Sequence, residues 1–75
     1  MTREYRNSRK PHHPILGGIY ENEGGGVFEC EMELPGNDAI MRNVKSDWVF
    51  VAHGIGMYED CKIDWDYSTG GHFDK

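Results

Sequence analysis

Asp60, Asp64, Asp66 and Asp74 alternate with Trp65, Tyr67 and His72 in the closing stretch YEDCKIDWDYSTGGHFDK, residues 58–75. Carboxylates so spaced could hold a cation, or could work with a histidine as an acid–base pair. A calcium loop of the EF-hand kind takes oxygen ligands at its first, third and fifth positions, glycine at the sixth and glutamate at the twelfth. Asp64, Asp66 and Ser68 fit the first three, but Thr69 stands where glycine is required and Lys75 where glutamate is required. Zinc asks for Cys and His at short paired spacings. Cys30, Cys61, His53 and His72 are scattered singly, and the one adjacent pair, His12-His13, lies near the N-terminus.

For catalysis, Asp64 or Asp66 could be set beside His53 or His72, yet nothing in the spacing brings them together. GGIYENEGGG (17–26) has the glycines of a phosphate loop without its lysine or its strand-to-helix setting. The expectation is therefore a non-enzymatic protein with no catalytic residues, no metal and no cofactor.

Charge carries more information. Residues 1–13 hold Arg3, Arg6, Arg9 and Lys10 against Glu4, a net of plus three; residues 14–75 hold four basic and twelve acidic side chains, a net of minus eight. Nucleic-acid affinity comes mainly from Lys and Arg neutralising phosphates. The acidic body opposes it, and only the N-terminal arm, with Arg3, Tyr5, Arg6, Arg9 and Lys10, supports it. Glu29, Glu31 and Glu33 project from one predicted strand, Asp64 and Asp66 from another, and Glu59 and Asp60 from a turn. Alternate carboxylates on a strand lie about 6.5–7 Å apart, close to the phosphate spacing of a nucleic-acid strand. Such rows also keep a small β protein soluble and guard its edges. The functional expectation is an acidic surface that occupies the basic site of a nucleic-acid-handling protein, as an inhibitor or accessory subunit. That economy of size and charge is common in phages and mobile elements. The alternative is a nucleic-acid-binding accessory module acting through the arm. Homo-oligomerisation through edge strands is a third reading.

The elements that must position these residues are strands. VFECEMEL (27–34) alternates strictly, placing Phe28, Cys30, Met32 and Leu34 on one face and the three glutamates on the other. ILGGIY (15–20) reads as a short strand, and ENEGGG as the turn after it. AIMRNV (39–44) admits one or two helical turns capped by Asp38, or a strand in which Ile40 and Val44 share a face with Arg42. The β-like sequence after it favours the strand. WVFVAH (48–53) is continuously apolar enough to be covered on both faces, and Gly54 and Gly56 mark a bend. In MYEDCKIDWDYS, a three-residue loop, Glu59-Asp60-Cys61, joins two runs, with Ile63, Trp65 and Tyr67 inward. Loops of this length place a left-handed residue third, here Cys61.

The chain then reads as an all-β, mainly antiparallel domain over residues 14–75, with a flexible basic arm over 1–13. Five or six strands would form a meander or an SH3- or OB-like partial barrel, with at most one helical turn. At 75 residues the core is near the lower size limit for independent folding, and its nine aromatic side chains, Trp48, Phe50 and Trp65 among them, supply it. No run approaches a membrane span and no signal-peptide core is present, so a cytoplasmic setting with reduced thiols is expected. A Cys30–Cys61 bond, the alternative, would close a loop of about 30 residues.

Overall fold

A computed structural model describes residues 13–58 and 61–73. They form one mostly antiparallel sheet of seven strands: β1 Ile19–Asn22, β2 Val27–Glu33, β3 Ala39–Asn43, β4 Trp48–His53, β5 Gly56–Met57, β6 Lys62–Asp64 and β7 Tyr67–Phe73. The all-β expectation holds, and residues 39–43 are strand. The spatial order is β5-β6-β1-β2-β3-β4-β7. Only β1 to β4 run as a meander. The β5–β6 hairpin returns to lie beside β1, where β6 pairs in parallel through Glu21–Lys62 and Asn22–Ile63, and β7 takes the place next to β4.

Local chemistry explains the boundaries. Residues 15–18 are a turn rather than the start of a strand: Gly18 donates its amide to the Ile15 carbonyl, and the hydroxyl of Tyr20, the first inward residue, accepts from the Ile15 amide at 3.0 Å. The Asn22 side chain accepts from the Gly26 amide and closes the β1–β2 turn, so strand β1 extends through Glu21 and Asn22. After β3, the Asn43 side chain accepts from the amides of Lys45 and Ser46, building the next turn.

The buried face carries Tyr20, Phe28, Cys30, Met41, Phe50 and Ile63. Trp65 is packed against them, edge-on to Phe28 at 5.1 Å between centroids and tilted against Phe50 at 5.3 Å. Edge-to-face aromatic pairs contribute about 0.5–1.5 kcal/mol each beyond area burial.

Several side chains depart from the alternation read in the sequence, each for a local reason. In β2 the register passes from Cys30–Met41 to Met32–Ile40, so Glu31 is an extra, bulged residue. Beyond it Met32 turns to the surface, 53% exposed, and Leu34 is only half-buried. The run Ile63–Tyr67 is two strands, not one. The chain breaks between β6 and β7 at Trp65-Asp66, and Tyr67 is 60% exposed instead of inward. Trp48 is a surface residue as well, stacked edge-on with Phe73 at 4.9 Å. It lies over Gly71, where a Cβ would come within 2.3 Å of the indole. Gly70 and Gly71, both with positive φ, together oppose Phe50 and form a second bulge.

Both thiols are free; Cys30 is buried and Cys61 exposed. Cys61 has φ 60°, the left-handed third position expected of its turn, which the Tyr58 amide closes on the Lys62 carbonyl. An L-residue there costs about 1–2 kcal/mol, partly offset by the entropy that glycine would lose, about 0.5–1 kcal/mol. Cys61→Gly should accordingly be neutral or raise stability by up to about 1 kcal/mol in urea denaturation; a clear loss would rule out this turn. Burial pushes the Cys30 thiol up from its ordinary pKa, with Glu33, Glu31 and Glu29 adding to the effect. In the native protein a thiol reagent should therefore label one cysteine, Cys61, with Cys30 reacting only on unfolding. Two equally fast native labels would contradict the burial of Cys30.

Candidate functional site

The outer face of β2 and β3 carries the largest charge cluster among the described residues. Pairing of Glu29 with Arg42 across the two strands sets the guanidinium opposite the glutamates, and the bulge brings Glu31 onto the same group. Arg42 donates from Nη2 to Glu29 at 2.6 Å, from Nε to Glu31 at 3.0 Å and from Nη1 to Asp47 at 2.8 Å. The bonds to Glu29 and then Glu31 push the guanidinium pKa further above its ordinary value. Asp47 reaches it from the β3–β4 turn, in a left-handed conformation with φ 65°.

This changes the picture of an evenly spaced carboxylate row. Glu29 and Glu31 converge on one cation instead of standing apart like successive phosphates, because a planar guanidinium with five donors can satisfy several carboxylates at once. Glu33, past the bulge, instead accepts the Leu16 amide at 3.0 Å. Asp64 accepts the Tyr58 hydroxyl at 2.8 Å. Asp66 is exposed in the link between β6 and β7, its carboxylate close over Gly54. Of the expected partner-binding carboxylates among the described residues, Glu29, Glu31 and Glu33 share β2, Asp64 ends β6 and Asp66 lies in the link to β7. Glu59 and Asp60 lie outside the described residues, as do Arg3, Tyr5, Arg6, Arg9 and Lys10.

The charge balance is lopsided all the same. The described residues hold nine carboxylate side chains and three Lys or Arg. Two of those three are engaged internally, Arg42 as above and Lys62 with Glu21. At the end of the sheet where Asn22, Glu23 and Gly24 turn, a cavity of about 300 Å³ is lined by these residues together with Asp64 and Trp65.

The histidines pair differently from the sequence reading. His53 faces neither Asp64 nor Asp66 through its ring; its Nδ1 lies 3.0 Å from Asp38 Oδ2 and its Nε2 2.6 Å from Thr69 Oγ1. A carboxylate only accepts, so Nδ1 donates to Asp38. Carboxylate, imidazole and hydroxyl thus stand in the order used by nucleophile triads. Here the chain of bonds ties the turn before β3 to β4 and β7, and Tyr67 stacks over the imidazole at 4.6 Å. Asp38 is also bonded by His13, whose Nε2 lies 2.8 Å from its carbonyl oxygen. The sequence contained no spacing signal for this cluster, since its members are 15 and 16 residues apart. His72 is exposed on β7 opposite Val49. Among the described residues no group of three or more Cys, His, Asp or Glu could hold a metal ion.

Comparison with protein families, curated proteins and solved structures finds no match to this chain. The site must be read from its own chemistry.

Replacing Arg42 tests the ion cluster. Arg42→Met should lower the denaturation midpoint by leaving Glu29, Glu31 and Asp47 to repel one another, and added salt should recover part of the loss by screening. Arg42→Lys should recover less than the native fork provides, since one ammonium cannot reproduce it. A salt-independent loss would show that Arg42 acts by packing its stem and not through its charge.

Proposed function

We propose that this protein is a non-enzymatic, acidic protein-binding module that occupies a basic site on a nucleic-acid-handling partner, as an inhibitor or accessory subunit. The observation that supports the reading is the charge balance of the described body. Its carboxylates outnumber its cations three to one, and the cations Arg42 and Lys62 are already committed within the fold. Uncompensated charge of one sign on a rigid sheet speeds encounter with an oppositely charged surface and excludes like-charged partners. The same reading places the module in the cytoplasm, where nucleic-acid-handling partners work; no helix among the described residues is long and apolar enough to cross a membrane.

The fold changes which carboxylates should be tested. Reversing Glu29 and Glu31 would break the Arg42 cluster and confuse binding with folding. Glu33 and Asp66 are exposed and can be neutralised as Glu33→Gln and Asp66→Asn. Tagged protein should capture one partner from host lysate despite nuclease treatment. That capture should weaken steeply with salt and fall further for the doubly neutralised variant, with its circular dichroism unchanged. Capture indifferent to both salt and neutralisation would overturn the acidic-face mechanism. Recovery only of nucleic acid, lost on deleting residues 1–13, would move the function to the basic arm.

A further inference from the structure

The cavity beside Trp65 combines concavity, an aromatic wall and two acidic residues, Glu23 and Asp64. Its volume of about 300 Å³ is at the small end of ligand sites, the scale of a single side chain and not of an extended polymer. Glu23 stands on the exposed β1–β2 turn, and Asp64 comes from the end of β6, where the Tyr58 hydroxyl holds its Oδ2. Trp65 is braced from within by Phe28 and Phe50, so its indole is a fixed surface. Lys62, the neighbouring cation on β6, is turned to Glu21. Gly24 adds no side chain to the wall.

We infer that this cavity is an anchoring pocket for one arginine side chain of a basic protein partner. The inference rests on the acidic-module reading and names the contact that makes it specific. A guanidinium is flat and weakly hydrated, stacks on an indole and forks its donors onto a carboxylate, here the exposed Glu23, with Asp64 adding negative charge to the wall. A lysine ammonium satisfies the charge but neither stacks nor forks, so it binds less well. A nucleobase could stack on Trp65, but its phosphates would meet Glu23 and Asp64. The pocket is thus selective for cations by charge and for arginine by shape. Desolvated aromatic and arginine contacts of this kind dominate the energetics of protein interfaces.

Intrinsic fluorescence reads the pocket directly. In a Trp48→Phe background, which keeps an aromatic partner for Phe73, Trp65 is the sole indole. The probes are three short peptides identical except for one arginine, lysine or citrulline. The arginine peptide should change Trp65 emission saturably. Citrulline, which keeps the shape and loses the charge, should bind at least about tenfold more weakly, and lysine should fall between them. Glu23→Gln should weaken the arginine peptide by about tenfold or more without altering the circular dichroism, because Glu23 is an exposed turn residue. Equal binding of citrulline, an unaffected Glu23→Gln protein, or no saturable response to arginine would each overturn the pocket. If the peptide arm fails while salt-sensitive capture of a partner persists, the pocket is wrong and the acidic face stands. If capture by the full chain also shows no dependence on salt, the broader reading falls with it.

Discussion

Two links of two residues each govern the shape of this protein. Trp65-Asp66 joins β6 to β7, and Gly54-Ile55 joins β4 to β5. In both cases the strands joined stand five intervals apart in the sheet order. On a flat sheet five intervals measure about 24 Å, whereas three peptide steps reach at most about 11 Å. The sheet is therefore obliged to curl until its two sides nearly meet. It remains open, with β5 and β7 as its outer strands, but one face is enclosed. The described residues thereby obtain a core from a single layer.

That enclosure accounts for the packing. Trp65 lies in one of the short links and is carried across the concave side to Phe28 on β2 and Phe50 on β4. Ile55, in the other link, is 4% exposed and belongs to the same core. The bulges at Glu31 and at Gly70-Gly71 serve the same end, because a bulge increases local bend and twist where a regular ladder would stay flatter. The Asp38–His53–Thr69 chain then ties the turn before β3 to β4 and β7, next to the Asp66 amide, which donates to the His53 carbonyl at 2.8 Å.

The outer face of the sheet has to manage the charge. Curling brings β2 and β3 side chains into a fixed relation, and Arg42 gathers three carboxylates that would otherwise repel. The cluster is still net negative, because one guanidinium cannot balance three. Charge inside the fold is thus arranged for stability around Arg42 and Lys62, while Glu23 and Glu33 are exposed. Surface ion pairs are weak individually, so the three bonds that converge on Arg42 count for more together than apart.

Much of the strand content was legible in the chain. Alternation in VFEC, apolar continuity in WVFVAH and turn chemistry at Cys61 are local effects, set by side-chain sterics and short-range hydrogen bonds. Even the left-handed Cys61 follows from loop length. What local pattern could not convey was wherever two residues distant in sequence compete for one place. The alternation of β2 ends at Glu31 because the bulge shifts the register against β3. Tyr67 faces out because the chain crosses the concave side two residues earlier. The carboxylate row of β2 is gathered by Arg42, eleven and thirteen residues on, and the pocket joins a β1 turn to a β6 end. The sequence by itself determined an all-β, acidic chain. Only the tertiary structure decided the curl, the pairing of charges and the cavity at Trp65, because each depends on which strands come to lie side by side.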